Sequence, residues 1–473
     1  MIAFDRGSFK DPSGRVFYQN GRVFRTMSAD AQRAFESAHA AGLIGSLVND
    51  QLLIESELVP APDELAGRAG KFVLEQRRIP LVTYAYEWSF EMLRDAALVT
   101  LRILERSLSD GFILKDATSF NILFDGTAPK LVDVPSLEPY REGQIWDGYS
   151  QFCRCFLFPL FVSAYRDLDV QPLLRGTLGE VPVADASRLL RPRDALKPGV
   201  LRDVFLQARL ERGFAMSAGT VKSAAGARGY PKAALVSSVR RLLKIVGHLP
   251  GPSTESTWSR YQSECGYSDH DRESKLEAVE AMLAAGRPSR VIDLGCNTGE
   301  YSEAARAGGA EVVALDMDSR AIDRLYRRNA QLASLSPLVA NLLNPTPALG
   351  WELAERKSLL ERIRTDAFLA LALIHHLRIA GGIPLSSIVA LLFEIAPEGL
   401  VEWVDKDDAM VRSMLALRPD VYPDYTWASF ESMVRDHGEI VTVRSTHEGR
   451  RRLCHVRARP GPHGRGAERK EPA

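Results

Sequence analysis

Residues 291–299 read Val-Ile-Asp-Leu-Gly-Cys-Asn-Thr-Gly, an order suited to a strand that turns sharply into a helix around a small polar ligand. Gly295 lets the chain turn tightly and lets a ligand approach backbone that a Cβ would shield. Gly299 lets the next helix start close to the strand, and Cys296 and Asn297 lie between the two glycines. The open N–H groups at that helix start can bind a carboxylate. Asp293 can accept hydrogen bonds from an amine or from ordered water. A second carboxylate, Asp316, ends the run Val312-Val313-Ala314-Leu315-Asp316, 23 positions after Asp293, with Met317 beside it. At the end of a second strand it can grip both hydroxyls of a ribose. These residues describe a nucleotide-type site, and on their own they also fit a dinucleotide. Asn297 stands where a G-x-G-x-x-G turn has its middle glycine, which leaves less room for a pyrophosphate.

Two further constellations could do chemistry. His375 and His376 follow an apolar run, where a histidine near neutral pKa can deprotonate a hydroxyl or amine. The plainer alternative is that one packs under the sheet and the other lines a pocket. In the first half of the chain, Asp116 and Asn121 sit five apart and Asp133 follows on an apolar strand. Cys153-Arg154-Cys155 lacks a second Cys or His pair at zinc spacing, so the two thiols read as buried packing residues and no metal site is expected.

The elements that must position these residues follow from periodicity. From Lys275 onward, strands at 290–294, 311–315, 338–341, 366–374 and 400–404 alternate with helices at 300–307, 319–332, 384–396 and 427–436. Two closing strands, 440–445 and 452–457, flank Thr446-His447-Glu448-Gly449 as an antiparallel hairpin. The expected fold is a doubly wound α/β sheet of seven strands, preceded by an α+β region. In that first region Asn20-Gly21 predicts a hairpin turn between 16–18 and 23–25, and Ser28 or Asp30 caps a helix to about Ala41. Residues 80–86 read as extended, and 90–108 as a long helix. Residues 212–256 are rich in Ala, Ser, Gly and basic side chains and read as a linker, helical around 234–246, with Arg240, Arg241 and Lys244 on a solvated face. The domain division is therefore 1–211, a linker 212–256, 257–458, and a disordered tail 459–473.

The chain has 473 residues, enough for two or three domains, and a formal net charge of zero. Charge gives no reason to expect nucleic acid or an anionic membrane as partner. Five cysteines, and the lack of a leader-like apolar start or a membrane-length run, fit a soluble cytoplasmic protein.

The turn Asp293-Leu294-Gly295-Cys296-Asn297-Thr298-Gly299 resembles the first motif of class I S-adenosylmethionine-dependent methyltransferases, and the closing hairpin is their arrangement. Asn341-Leu342 falls where that family places a residue beside the adenine. Leu371-Ala372-Leu373-Ile374-His375-His376-Leu377 resembles its fourth-strand motif at the mouth of the site. The run Val401-Glu402-Trp403-Val404-Asp405-Lys406-Asp407-Asp408, with Asp424-Tyr425, Trp258-Ser259-Arg260-Tyr261 and Asn344-Pro345, resembles a bacterial group related to nodulation protein NoeA. The resemblance implies a Rossmann-like methyltransferase domain, S-adenosylmethionine as cofactor and methyl transfer to an unidentified acceptor, a small molecule or a glycan. Methyl transfer needs mainly alignment, so a base at His375 or His376 is not essential. A non-catalytic module that binds the cofactor would need the same pocket.

Asp116, Asn121 and Asp133 resemble the catalytic loop and metal-binding aspartate of protein kinases and aminoglycoside phosphotransferases. That implies a kinase-like N-terminal domain, with phosphotransfer in that half as the alternative function. The departures are plain. No Gly-rich loop is present, no Val-Ala-Ile-Lys strand supplies a phosphate-pairing lysine, and Val134-Pro135 follows Asp133. Arg25 or Lys71 could stand in for the lysine, and the sequence selects neither.

Overall fold

The structure is a computed structural model that describes residues 2–65, 70–214, 229–253, 269–416 and 419–459. Trp258-Ser259-Arg260-Tyr261, Cys265 and the tail from 460 onward lie outside the described residues. Two compact units divide the chain: Met1–Thr254 with Leu349–Arg356, and Glu255–Ala348 with Lys357–Pro472. Among the described residues no helix is long and apolar enough to cross a membrane.

The N-terminal unit opens with a hairpin of β1 (Val16–Gln19) and β2 (Arg22–Thr26). Asn20 and Gly21 take φ of 52° and 75°, the left-handed pair that a two-residue turn requires. Helices α1 (Ala29–Ala40) and α2 (Leu43–Asn49) follow, and the Ser28 hydroxyl caps α1 by accepting from the Ala31 amide. Strands β3 (Ser56–Pro60) and β4 (Phe72–Gln76) complete an antiparallel sheet of order β1-β2-β4-β3. Phe17, Phe24, Leu65 and Val73 form an apolar cluster on it. Residues 81–84, expected to be extended, belong to no strand, and Ala85–Glu87 forms a single tight helical turn. The long helix α3 (Phe90–Ser109) is buried along most of its length, with Leu93, Ala97, Leu101 and Leu104 inside. Short strands β5 (Phe112–Leu114), β6 (Ile122–Asp125), β7 (Ala128–Leu131) and β8 (Leu137–Pro139) pair as β5-β8 and β6-β7.

Part of the segment read as linker is built into this unit. Helix α4 (Lys232–Gly247) packs on α3 through Leu235, Val239, Leu242 and Val246. The helix expected around 234–246 is therefore present, and its apolar stripe at 3.6-residue spacing is packed inside this unit instead of lying in a linker. Arg241, expected on a solvated face, instead donates two hydrogen bonds to the fully buried Asp203 at 2.7 and 2.8 Å.

The C-terminal unit begins with α5 (Asp269–Gly286) and then alternates: β9 (Arg290–Leu294), α6 (Glu300–Ala307), β10 (Glu311–Asp316), α7 (Ser319–Arg328), β11 (Leu335–Val339), β12 (Ala367–Ala370), α8 (Leu385–Ile395), β13 (Glu398–Val404), α9 (Trp427–His437), β14 (Gly438–Thr446) and β15 (Arg451–Ala458). The sheet order is β11-β10-β9-β12-β13-β15-β14. The first five strands are parallel, and β15 and β14 pair antiparallel. Strands β9, β10 and β12 are almost wholly buried, as parallel strands covered on both faces must be. The fourth strand is shorter than its apolar run suggested: after Ala370 the chain leaves the sheet, and Ala372 adopts φ 49°. The order reverses between β9 and β12, and in such sheets ligands bind at the carboxyl ends beside the reversal.

Candidate active site

At the end of β9 the chain turns through Gly295 (φ 78°), Asn297 (φ 49°) and Gly299 (φ 82°). The Gly295 and Cys296 amides donate to the Leu315 carbonyl at 2.8 and 2.9 Å, which ties the turn to β10. The Cys296 amide is therefore spent on the fold. The Asn297 amide donates to Oδ2 of Asp316 at 2.7 Å, and the Asp318 amide to Oδ1 at 2.8 Å. Each carboxylate oxygen of Asp316 keeps a further lone pair for a hydroxyl. Burial raises the Asp316 pKa, and the backbone donors oppose that rise. The Asn297 side-chain Oδ1 is buried without a hydrogen-bond partner.

The two glycines have different tasks. A Cβ on Gly295 would meet nothing closer than Leu373 Cδ1 at 3.4 Å, so its open side is room for a ligand. A Cβ on Gly299 would lie 2.4 Å from Leu325 Cδ1, so this glycine admits a buried leucine of α7. Asp293 is buried and accepts from the Ser302 hydroxyl at 2.6 Å. Burial pushes its pKa up to about 7. The carboxyl thus braces the start of α6 directly behind the turn. Asn341 and Leu342 follow β11, where the Ala340 amide donates to the Asp316 carbonyl at 2.8 Å. The Asn341 Oδ1 accepts from the Leu343 amide at 2.9 Å, and Met317 is exposed. The anticipated cofactor residues therefore gather at the ends of three adjacent parallel strands.

The loop after β12 closes one side of the turn through Leu373. Ala372, a non-glycine residue with positive φ, marks local strain of a kind found at functional sites. His375 and His376 lie just beyond it, rings 4.2 Å apart, where a π-helical turn covers His376–Ala380. His375 is buried and its Nδ1 has no hydrogen-bond partner. Burial, the His376 ring and the nearby Arg451 and Lys275 charges hold its pKa well below the usual range. Burial lowers His376 to about 4. Both rings are neutral near pH 7, which makes them hydrogen-bonding groups and weak bases.

Charged residues to which the sequence analysis gave no role gather on β13, β15 and helix α5. Lys275 of α5 sits 2.8 Å from Glu402 of β13, and Arg451 sits 3.4 Å from the other Glu402 oxygen. Arg451 also donates to Asp408 at 2.7 and 3.1 Å, and His447 pairs with Asp271 at 3.1 Å. One signal was available: a lone glutamate in the otherwise apolar Leu400–Val404 run must find a cation when buried. The rest of that run packs. Trp403 stacks on Tyr425 at 4.4 Å and bonds Asp405, while the Tyr425 hydroxyl donates to the Val404 carbonyl at 2.6 Å.

In the N-terminal unit, Asp116, Asn121 and Asp133 come together. Asn121 donates to Asp133 Oδ2 at 3.3 Å, and the Ser136 hydroxyl bonds the same oxygen. Burial, with Asp133 and Asp11 nearby, raises the Asp116 pKa. Of the two candidate cations, Arg25 lies beside this group: its guanidinium is 2.5 Å from Asp133 Oδ1 and also pairs with Asp11. Lys71 is exposed. Among the described residues no cluster of His, Cys, Asp and Glu has the geometry of a metal site.

The strand order and closing hairpin of the C-terminal unit define a methyltransferase-like α/β fold. No family model matches the chain. Nodulation protein NoeA of Rhizobium meliloti (strain 1021) is 36% identical over 439 residues, 92% of each chain. The chain belongs to the family of nodulation protein NoeA. Among solved structures, magnesium protoporphyrin IX methyltransferase (ChlM) from Synechocystis PCC 6803 with bound SAM overlaps at a TM-score of 0.31 and 15% identity, covering 43% of this chain and 93% of that one. The bifunctional kinase-methyltransferase WbdD overlaps at 0.28 and 15% identity, covering 44% of this chain and 40% of that one.

Proposed function

We propose that the C-terminal unit binds S-adenosylmethionine across the ends of β9, β10 and β11 and transfers its methyl group to a small-molecule or glycan acceptor. The observation that carries this reading is the Asn297–Asp316 bond, which fixes a carboxylate at the mouth of a turn whose Gly295 has no Cβ. The residues fit the group. Asp316 retains lone pairs for two ribose hydroxyls, Asn297 Oδ1 is an unmatched buried acceptor, and Asn341 and Leu342 stand at the next strand end, where an adenine would lie. When bound, the cofactor supplies an electrophilic methyl group. The protein's part is alignment: Asp316 anchors, Gly295 yields space, and Leu373 restricts the side facing β12. His375 and His376 stay neutral and, with pKa values held below the near-neutral range the sequence suggested, are poor bases; their part is to orient an acceptor by hydrogen bonding, and the reaction rests on alignment.

The N-terminal unit supports a different role. Asp133 is already neutralised by Arg25 and bonded to Asn121 and Ser136. A carboxylate so engaged is poorly placed to hold Mg²⁺ on a phosphate chain, which favours a kinase-like scaffold without phosphotransfer.

Isothermal titration with S-adenosylmethionine tests the proposal. Asp316→Ala should weaken binding by about 1.5–3 kcal/mol, roughly ten- to a hundred-fold, through loss of charge-assisted bonds to ribose. No heat of binding with the unaltered protein, or equal affinity in the variant, would remove the site.

A further inference from the structure

Strand β14 is nine residues long, contains no Pro or Lys, and pairs only with β15, so its other edge has no strand neighbour among the described residues. Native proteins blunt such edges with charged side chains or bulges, and β14 carries Glu439, Arg444 and one bulge, whose arrangement therefore decides what the edge can pair with. Here Val441 and Val443 are exposed on it, 38% and 46%. Its one irregularity is an extra residue between Ile440 and Thr442. That insertion changes which side chains share a face. Glu439 lies opposite Arg457 and Arg444 opposite Leu453, four residues apart on β15, so Glu439 and Arg444 share one face. Ile440 lies opposite Val456 and Val443 opposite Cys454, so these two share the other face. In a regular strand, residues five apart would point to opposite faces.

We infer that β14 pairs antiparallel with β14 of a second copy, about a two-fold axis between Val441 and Thr442. In that register each Glu439 lies opposite Arg444 of the other copy, and each Ile440 opposite Val443. Directly opposed residues in an antiparallel pair share a face, and the insertion makes both pairings meet that condition. The opposite charges stand at equal distances from the axis, as an isologous contact requires and a foreign peptide would not. A net charge of zero leaves no long-range repulsion between copies. Arg444 already has an exposed ion pair with Glu277 at 2.8 Å, a surface contact that a cross-copy pair can share or replace. One strand pair is a small interface, so the dimer should be weak and concentration-dependent.

Sedimentation velocity on the full chain, from about 5 to about 200 μM, reads the dimer directly. Glu439→Arg alone, or Arg444→Glu alone, should raise the dimer dissociation constant by at least about ten-fold while the chain stays folded by circular dichroism, because the contacts each loses within its own chain, to Arg457 or to Glu277, lie on the surface. The double swap, Glu439→Arg with Arg444→Glu, should return it to within about three-fold of the unaltered protein. A monomer throughout the range, a dimer indifferent to either reversal, or a double swap that fails to restore it would each overturn the inference.

Discussion

Gly295 and Gly299 share a turn and a left-handed backbone, yet replacing them with alanine should damage different properties. At Gly299 the new Cβ would sit 2.4 and 2.8 Å from the two Cδ atoms of Leu325, whose side chain is fully buried. Overpacking of this kind costs about 1–3 kcal/mol, and a Cβ at φ 82° adds about 1–2. Gly299→Ala should therefore lose about 2–5 kcal/mol of stability in the C-terminal unit. At Gly295 the nearest atom is 3.4 Å away, which is ordinary contact, so only the backbone term of about 1–2 kcal/mol applies. That Cβ, however, projects into the space proposed for the cofactor and should lower affinity by more than about ten-fold. Urea unfolding gives the first quantity and calorimetric titration at a temperature where both variants are folded gives the second. The reasoning fails if Gly295→Ala binds like the unaltered protein, or if it is the less stable of the two.

Asp293 makes stability depend on pH. Its folded pKa is about 7 against an ordinary 3.8, so the folded chain keeps a proton that the unfolded chain releases. Stability should fall as pH rises from about 4 to about 7 and level off above. Asp293→Asn, which can still accept from Ser302, should melt higher than the unaltered protein by a margin that widens across that window; a constant margin would contradict the buried-acid account. Arg25→Met strands Asp133 and Asp11 as neighbouring carboxylates in a half-buried site and should destabilise the N-terminal unit by about 3 kcal/mol. Adding Asp133→Asn should recover part of that loss, and thermal melts of the single and double variants decide it.

Much of the C-terminal fold was legible because its signals are local. Strand–helix alternation, two glycines at fixed offsets and an acidic residue closing the second strand sufficed to expect the sheet and its turn. What escaped depends on tertiary pairing. The run 366–374 reads as one strand by apolarity, and nothing in it announces that Ala372 turns the chain out of the sheet. The Lys275, Glu402 and Arg451 cluster joins residues from three distant segments, and single-sequence spacing cannot couple them. The helix around 234–246 was legible, but its membership of the N-terminal unit was not, because its partner α3 lies more than a hundred residues earlier. That Arg25 and not Lys71 pairs with Asp133 depends on the tertiary fold, which spacing along the chain does not give.

The position of β15 has a consequence for the order in which the sheet can be made. It follows β14 in the chain yet lies between β13 and β14, with seven residue pairs on one side and eight on the other. Until residues 451–458 are synthesised, β13 has one naked edge and β14 has no strand to join. A nascent chain at that stage holds two adhesive strands waiting for one partner, the condition in which unfolded chains find each other. A premature stop at codon 451 would remove no residue of the proposed cofactor site. Its product would nonetheless be expected in inclusion bodies rather than in solution.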